Sequence, residues 1–264
     1  DLAEKISWFP DDSSLFAFVG PMIFGSLLAA ALALLIATPL AIGIGLFISH
    51  YAPRRLANAL GYVVDLLAAI PSVVYGLWGG LVLSPFIQPF WELLGRWLGW
   101  IPLFGGAVSP TGRVMATVGV VLGVMILPII TAICREVFLQ TPRLHEEAAL
   151  ALGATRWEMI RMAVFPFARS GIVSAAMLGL GRALGETMAV AMVLSVSGGV
   201  TFALFTSGNP STIAANIALT FPEAYGTNVN VLIATGLILF VVTFAVNAVA
   251  RYIVSRRKEF SGAN

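Results

Sequence analysis

Charged residues are scarce in this chain. Only 11% of its 264 residues are Asp, Glu, Lys or Arg, while 59% are hydrophobic. Soluble domains carry about 25% charged residues, so a soluble fold of this composition has too few polar side chains to cover its surface. The scarcity of charge excludes a soluble globular protein and leaves a membrane protein, provided that the apolar residues form long runs.

Three further absences reduce the number of possible functions. The single cysteine, Cys134, excludes a disulfide within the chain. The sequence has no glycine-rich phosphate-binding loop, so we expect no ATP hydrolysis by the chain itself. Its two histidines, His50 and His145, lie outside the apolar runs, which contain no constellation of nucleophile, base or metal ligands. An intramembrane enzyme is therefore a remote alternative, and no metal or cofactor is predicted.

Five apolar runs are long enough to cross roughly 30 Å of hydrocarbon as helices. In chain order they are Leu15–Ile48, Ala59–Leu83, Val114–Ile133, Gly171–Ser197 and Val229–Ala250. Prolines inside them predict kinks. The sequence therefore predicts an all-α membrane protein: one transmembrane domain over residues 1–264, with five membrane-spanning helices.

The distribution of basic residues predicts the orientation. Eleven of the 15 lysines and arginines fall in the loops after the first and third runs and in the tail after the fifth. Cytoplasmic loops carry an excess of Lys and Arg. We therefore expect these loops and the C-terminal tail in the cytoplasm, and the segment Asp1–Ser14 outside.

Two segments on the predicted outer side are too polar or too short to span. Phe86–Phe104 carries three tryptophans and places Glu92 four residues before Arg96, which predicts an amphipathic helix at the headgroup level. Thr212–Phe221 is apolar but short, which predicts a re-entrant or interfacial segment. The alternative for both segments is a purely structural role, in which they pack over the end of the helix bundle.

The loop 135–170 is predicted to fold as helix, turn, helix. Helix-forming residues from Glu146 onward are interrupted at Gly153, and Thr155 can cap a second helix because Glu158 follows at capping-box spacing. Pro166 is expected to mark the return to the membrane. Such a hairpin can dock on a soluble partner through Glu147 and pass on that partner's movement, or it can simply stiffen the loop.

Run four contains two charges at membrane depth. Arg182 is expected near mid-membrane, where an ionised group costs about 2.5–3.5 kcal/mol or more. Glu186 follows four residues later, so on a continuous helix the two share a face and can pair. In one interpretation Arg182 lines a pathway for an anion, since guanidinium matches phosphate-like oxyanions. In the other, the two charges neutralise each other and fix helix packing.

The loop resembles the Glu-Ala-Ala loop of ABC importer permeases. Glu147, Ala148, Ala149 and Gly153 match its first half, and Pro166 matches its end, whereas the Ile and Leu of that end are replaced by Ala163 and Phe165. In that family the loop docks on the ATP-binding subunit. The resemblance thus implies an ATPase-coupling role for Glu147, Ala148, Ala149 and Gly153.

Three strings resemble the permease subunits of phosphate ABC importers, of the PstC type. They are residues 179–187 (GLGRALGET), 70–78 (IPSVVYGLW) and 212–218 (TIAANIA). The resemblance covers essentially the whole chain. It implies a type I ABC importer permease, with Arg182 and Glu186 in the translocation pathway and phosphate as the cargo.

The resemblance also implies partners and a location. These are a homodimer of ATP-binding subunits, a second related permease subunit and an extracytoplasmic phosphate-binding protein, all at a bacterial plasma membrane. The family has one more span before the first run, so we expect that helix to be missing from this chain. A permease for molybdate or sulfate, and a passive channel, remain alternatives.

Overall fold

The computed structural model describes residues 14–197 and 199–258, with side chains as far as Tyr252. In that part of the chain every regular element is a helix, apart from one isolated bridge between Val196 and Asn209. Five helices there are long and apolar enough to cross a membrane. The predicted all-α bundle with five membrane-spanning helices is confirmed.

The helices are α1 (Leu15–Tyr51), α2 (Arg54–Ala68), α3 (Ser72–Leu98), α4 (Met115–Leu139), α5 (Arg143–Ala151), α6 (Arg156–Leu184), α7 (Met188–Val193), α8 (Ile213–Thr220) and α9 (Thr227–Lys258). Helices α1, α3, α4, α6 and α9 are the five candidate spans. Short π-helical turns lie within α1, α3 and α6.

The second span lies later in the chain than the run Ala59–Leu83 predicts. Helix α2 ends at Ala68, and a new helix begins after Pro71. Proline has no N–H to continue a helix and disfavours the helical conformation of the residue before it. The span α3 then continues to Leu98 and absorbs most of the segment expected to be a separate interfacial helix.

The prediction for the fourth span was also wrong in its bounds. Helix α6 begins at Arg156, in the loop, and ends at Leu184, so the run Gly171–Ser197 is not one helix. The second helix of the predicted hairpin and the span are therefore continuous, and Pro166 lies inside this helix rather than at a return. Pro166 follows a π-helical turn over Ile160–Val164, which accommodates a proline within the helix.

Helix α4 lies at the centre of the bundle. In its most apolar stretch of 18 residues, 67% is buried. It packs most extensively against α1 and then against α6. The face that α1 turns inward is made of small residues: Ser26, Ala29, Ala30, Ala33, Ala37, Ala41 and Gly45 are buried. Small side chains let two membrane helices approach closely. Here Gly45 lies against the backbone of Arg135 and the side chain of Cys134 on α4.

One end of the bundle is closed by aromatic and short helical segments. Trp91 stacks on Phe205 with ring centroids 4.9 Å apart, and its indole N–H donates to Thr117. The short helix α8 begins inside the bundle, where the N–H of Ile213 donates to the hydroxyl of Ser26. The expectation of a short, non-spanning segment at Thr212–Phe221 is thus confirmed.

Candidate translocation and coupling sites

A break between α6 and α7 places polar residues within the membrane-spanning bundle. The helix ends at Leu184, and Glu186 and Thr187 form the connection to α7. One carboxylate oxygen of Glu186 accepts a hydrogen bond from the N–H of Ala189 at 3.2 Å, and Glu186 is only 8% exposed. Non-helical backbone at membrane depth is tolerated only inside protein or along a water-filled cavity.

Arg182 and Glu186 do not form the pair that a continuous helix would allow. The break at Gly185 takes Glu186 off the helix that carries Arg182, and the structure has no ion pair between them. Arg182 lies in the last turn of α6, is exposed on the isolated chain and has no hydrogen bond to another described residue. It is near enough to Tyr75 on α3 for an electrostatic interaction. A guanidinium in this place must face protein or water rather than lipid.

Glycines on α3 allow α7, the helix that follows the break, to pack closely against α3. A Cβ at Gly76 would lie 2.9 Å from the Cα of Ala189, and one at Gly80 would lie 2.8 Å from the carbonyl oxygen of Met192. Helix α7 therefore lies directly on the glycine face of α3. The string 70–78 therefore contacts the helix that directly follows the string 179–187, although the two are far apart in the chain.

The third string, 212–218, closes the other side of the break. A groove of about 430 Å³ separates the connection from α8 and α9, and its lining consists of Gly185, Thr187, Ala214, Ile217, Ala218, Phe221 and Leu239. All three strings that carried the resemblance thus surround one break. Sequence spacing alone gave no indication of this convergence, because it depends on the end of α6 at Leu184.

The loop 140–155 contains the candidate coupling element, helix α5 and the turn that follows it. In helix α5 no residue is buried. Gly153 has φ +86°, a left-handed conformation that favours glycine. The Thr155 hydroxyl and Glu158 carboxylate form the predicted capping box. The predicted helix and glycine turn are confirmed, while the second helix is the first turn of α6.

The two glutamates of α5 face different ways. Glu146 lies 3.5 Å from Nε2 of His50, so it connects α5 to the end of α1. Glu147, Ala148 and Gly153 are exposed, whereas Ala149 is half-buried against the core. Of the two adjacent carboxylates, Glu147 is therefore the one available to a partner.

Exposed apolar side chains lie in the same loop as Glu147, a feature that the sequence reasoning missed. Leu152 is 90% exposed at the turn, and Leu144 and Trp157 are also exposed. Exposed hydrophobic residues that cluster on a projecting element are typical of an interaction site. Their positions on both sides of Gly153 in the loop could have indicated these exposed apolar residues.

Comparison with known proteins places the chain in a family. The family described as binding-protein-dependent transport system inner membrane component matches residues 41–259. The chain belongs to this family. It is thus a transport-system membrane component rather than an enzyme, as predicted.

Among its relatives, the phosphate transport system permease protein PstC 2 of Mycobacterium tuberculosis is 49% identical over 247 residues, which is 92% of this chain and 76% of that protein. The PstC protein of Mesorhizobium japonicum is 42% identical over 261 residues, which is 97% of this chain and 79% of that protein.

Solved structures of ABC transporters have the same fold. The inward-facing MetNI methionine ABC transporter aligns with a TM-score of 0.59 and 20% identity, over 89% of this chain and 96% of that one. A bacterial ABC transporter for the import of alginate aligns with a TM-score of 0.58 and 19% identity, over 97% of this chain and 86% of that one. The type I ABC importer permease fold predicted from the sequence is confirmed.

Proposed function

We propose that this chain is a membrane-spanning permease subunit of an ATP-driven phosphate importer and forms half of its translocation pathway. The observation that carries this proposal is Arg182, an unpaired cation in the described part of the chain, at the end of a membrane helix and beside a helix break. The names of relatives at 42–49% identity give the cargo as phosphate. Guanidinium is permanently charged and binds phosphate oxygens through two hydrogen bonds.

The break supplies a site that can change shape. Glu186 is held by the N-terminus of α7 and so leaves Arg182 available to an anion from the pathway. A second, related permease would face the exposed side of Arg182 and complete the pathway. Because Glu186 is close in sequence and negatively charged, it also limits how tightly an anion is retained near Arg182.

The coupling element provides the link to ATP. An ATP-binding subunit dimer would dock on α5 through Glu147, Ala148, Ala149 and Gly153, with Leu152 and Trp157 as apolar contacts. Closure of that dimer on ATP moves α5. Because α6 follows one short turn later and continues as one helix to Leu184, the movement reaches Arg182 through a single helix. The pathway then alternates between outward and inward access.

The location follows from the same arrangement. The protein would lie in a bacterial plasma membrane, with the coupling element and the C-terminal tail in the cytoplasm and the chain start outside. An extracytoplasmic phosphate-binding protein would deliver the anion at the opposite end, where Trp91, Phe104 and Phe205 close the bundle.

Substitution of Arg182 tests the pathway role. We expect Arg182→Gln to abolish phosphate uptake into cells or vesicles while the chain still copurifies with its ATPase and partner permease. Arg113→Gln removes an exposed arginine outside the described helices and is the matched control, with uptake close to wild type. Normal uptake by Arg182→Gln would refute the pathway role. If molybdate or sulfate competed more strongly than unlabelled phosphate in the wild-type uptake assay, the assignment of phosphate as the cargo would be refuted.

A further inference from the structure

A second groove lies between α1 and α6, at the end of α6 nearest the coupling element. It has a volume of about 490 Å³. Its lining consists of Ile42, Arg161, Phe165, Pro166, Arg169, Ile172 and Val173. Small-molecule pockets have this size. The described lining combines two cationic side chains with apolar ones and has no acidic residue.

The two arginines have no described partner. Arg161 and Arg169 are exposed, and neither has a hydrogen bond or ion pair with another described residue. Two unpaired cations at one groove repel each other, and an anionic ligand would relieve that repulsion.

Polarity changes along the groove in a definite direction. Arg161 and Arg169 both line the groove, and they are eight residues apart on α6, or about 12 Å along the helix. Ile172 and Val173 continue the groove by one more turn towards the membrane centre, and Ile42 forms the opposing wall. The charged part lies at the coupling end and the apolar part lies deeper, which is the orientation of a phospholipid in that leaflet.

We propose that this groove binds an anionic phospholipid of the leaflet on the coupling side. Its phosphate contacts Arg161 and Arg169, and the upper part of one acyl chain packs on Ile42, Ile172 and Val173. Basic pockets between membrane helices on the cytoplasmic side bind acidic lipid headgroups. The bound lipid would fill the space between α1 and α6, the helix that links the coupling element to Arg182, so acidic lipid would also support coupled transport.

Lipid retention by the purified importer complex tests this site. Native mass spectrometry would count phosphatidylglycerol and phosphatidylcholine bound to the complex from mixed micelles. We expect preferential binding of phosphatidylglycerol by the wild type. In Arg161→Gln/Arg169→Gln its dissociation constant should rise on the order of 30-fold, since each arginine near an anionic leaflet contributes about fivefold. Arg54→Gln/Arg55→Gln removes two exposed arginines at the start of α2 and is the matched control, expected to bind as wild type.

Two further variants test the groove itself. Ile172→Trp fills the apolar part without a change in charge, so it should also weaken phosphatidylglycerol binding. A photoreactive amino acid at position 173 should cross-link to phospholipid in the wild-type background, which keeps the test informative if the double arginine variant fails to assemble. Unchanged binding by either the arginine pair or Ile172→Trp would overturn the proposal. So would cross-linking to a neighbouring permease chain instead of lipid.

Discussion

The carboxylate of Glu186 accepts a hydrogen bond from the backbone N–H of Ala189 at 3.2 Å, across the start of α7. This contact satisfies one of the N–H groups that a helix start leaves without an intrahelical partner. It also places a negative charge at the positive end of the helix. Glu186 therefore stabilises the break that separates it from Arg182, and this explains why the two charges are not paired.

Two substitutions at Glu186 should distinguish its role as hydrogen-bond acceptor at the start of α7 from the role of its negative charge. Glu186→Gln keeps an oxygen that can accept from Ala189, so thermal unfolding of the purified complex should stay close to wild type. Glu186→Ala removes the cap and should lower stability by about 1 kcal/mol. Phosphate uptake measured on both variants then reports on the charge. Equal melting temperatures for the two variants would contradict the capping role.

The contact of α7 with α3 depends on glycine. At Gly76 an added Cβ would meet the Cα of Ala189 at 2.9 Å and the sulfur of Met192 at 3.0 Å. The first of these is backbone and cannot rotate away. We therefore expect Gly76→Ala to move α7, to destabilise the complex by about 1–3 kcal/mol and to reduce uptake.

Gly43→Ala is the matched control for that experiment. Gly43 lies in α1, and a Cβ there would meet nothing within 4 Å. Because alanine favours a helix more than glycine does, this variant should be as stable as wild type or slightly more so. If the two variants lost similar amounts of stability in thermal unfolding and of phosphate uptake, close packing at Gly76 would not be the cause of the loss.

Composition and periodicity predicted the class, the number of spans, and the helix and glycine turn of the loop 140–155. These features depend on local properties: apolar length, helix-forming residues, and the capping box of Thr155 and Glu158. The bounds of two spans were wrong for a common reason. Hydropathy does not register where a helix ends, and both Pro71 and Gly185 lie inside apolar runs.

The candidate site was harder to predict than the fold. Arg182 and Glu186 are unusual residues for an apolar run, but the helical spacing that would allow them to pair is removed by the break. The contacts of Gly76 with Ala189, and of His50 with Glu146, join residues far apart in the chain. Such contacts arise from the packing of whole helices, which single-sequence patterns do not specify.

Gly153 should tolerate only residues that adopt a left-handed conformation. Its φ is +86°, although a Cβ there would have free space around it. We expect Gly153→Ala to cost about 1 kcal/mol through backbone strain, and Gly153→Asn to cost less, since asparagine adopts this conformation more readily. The ATPase retained by each variant in a pull-down measures the effect on docking. Equal retention by Ala, Asn and wild type would show that this turn does not position the coupling element.

The contact of His50 with Glu146 should act on coupling rather than on docking. It joins the end of α1 to α5, and the two side chains are 9% and 23% exposed. A double-mutant cycle of His50→Ala and Glu146→Ala in unfolding experiments should give an interaction energy of about 0.5–1 kcal/mol. Glu147→Ala, the neighbouring exposed carboxylate, should give no interaction energy with His50→Ala.

The same variants should also distinguish a role in coupling from a role in binding the ATPase. Without the contact, α5 would move with the ATPase while α1 stays behind, so less phosphate should enter per ATP hydrolysed even though the ATPase still binds. Glu147→Ala should instead weaken binding of the ATPase and lower both rates together. Transport and hydrolysis measured side by side in reconstituted vesicles would distinguish them. If the His50 and Glu146 variants lost bound ATPase to the same extent as Glu147→Ala, both glutamates would belong to the docking surface, and the division of roles on α5 would be wrong.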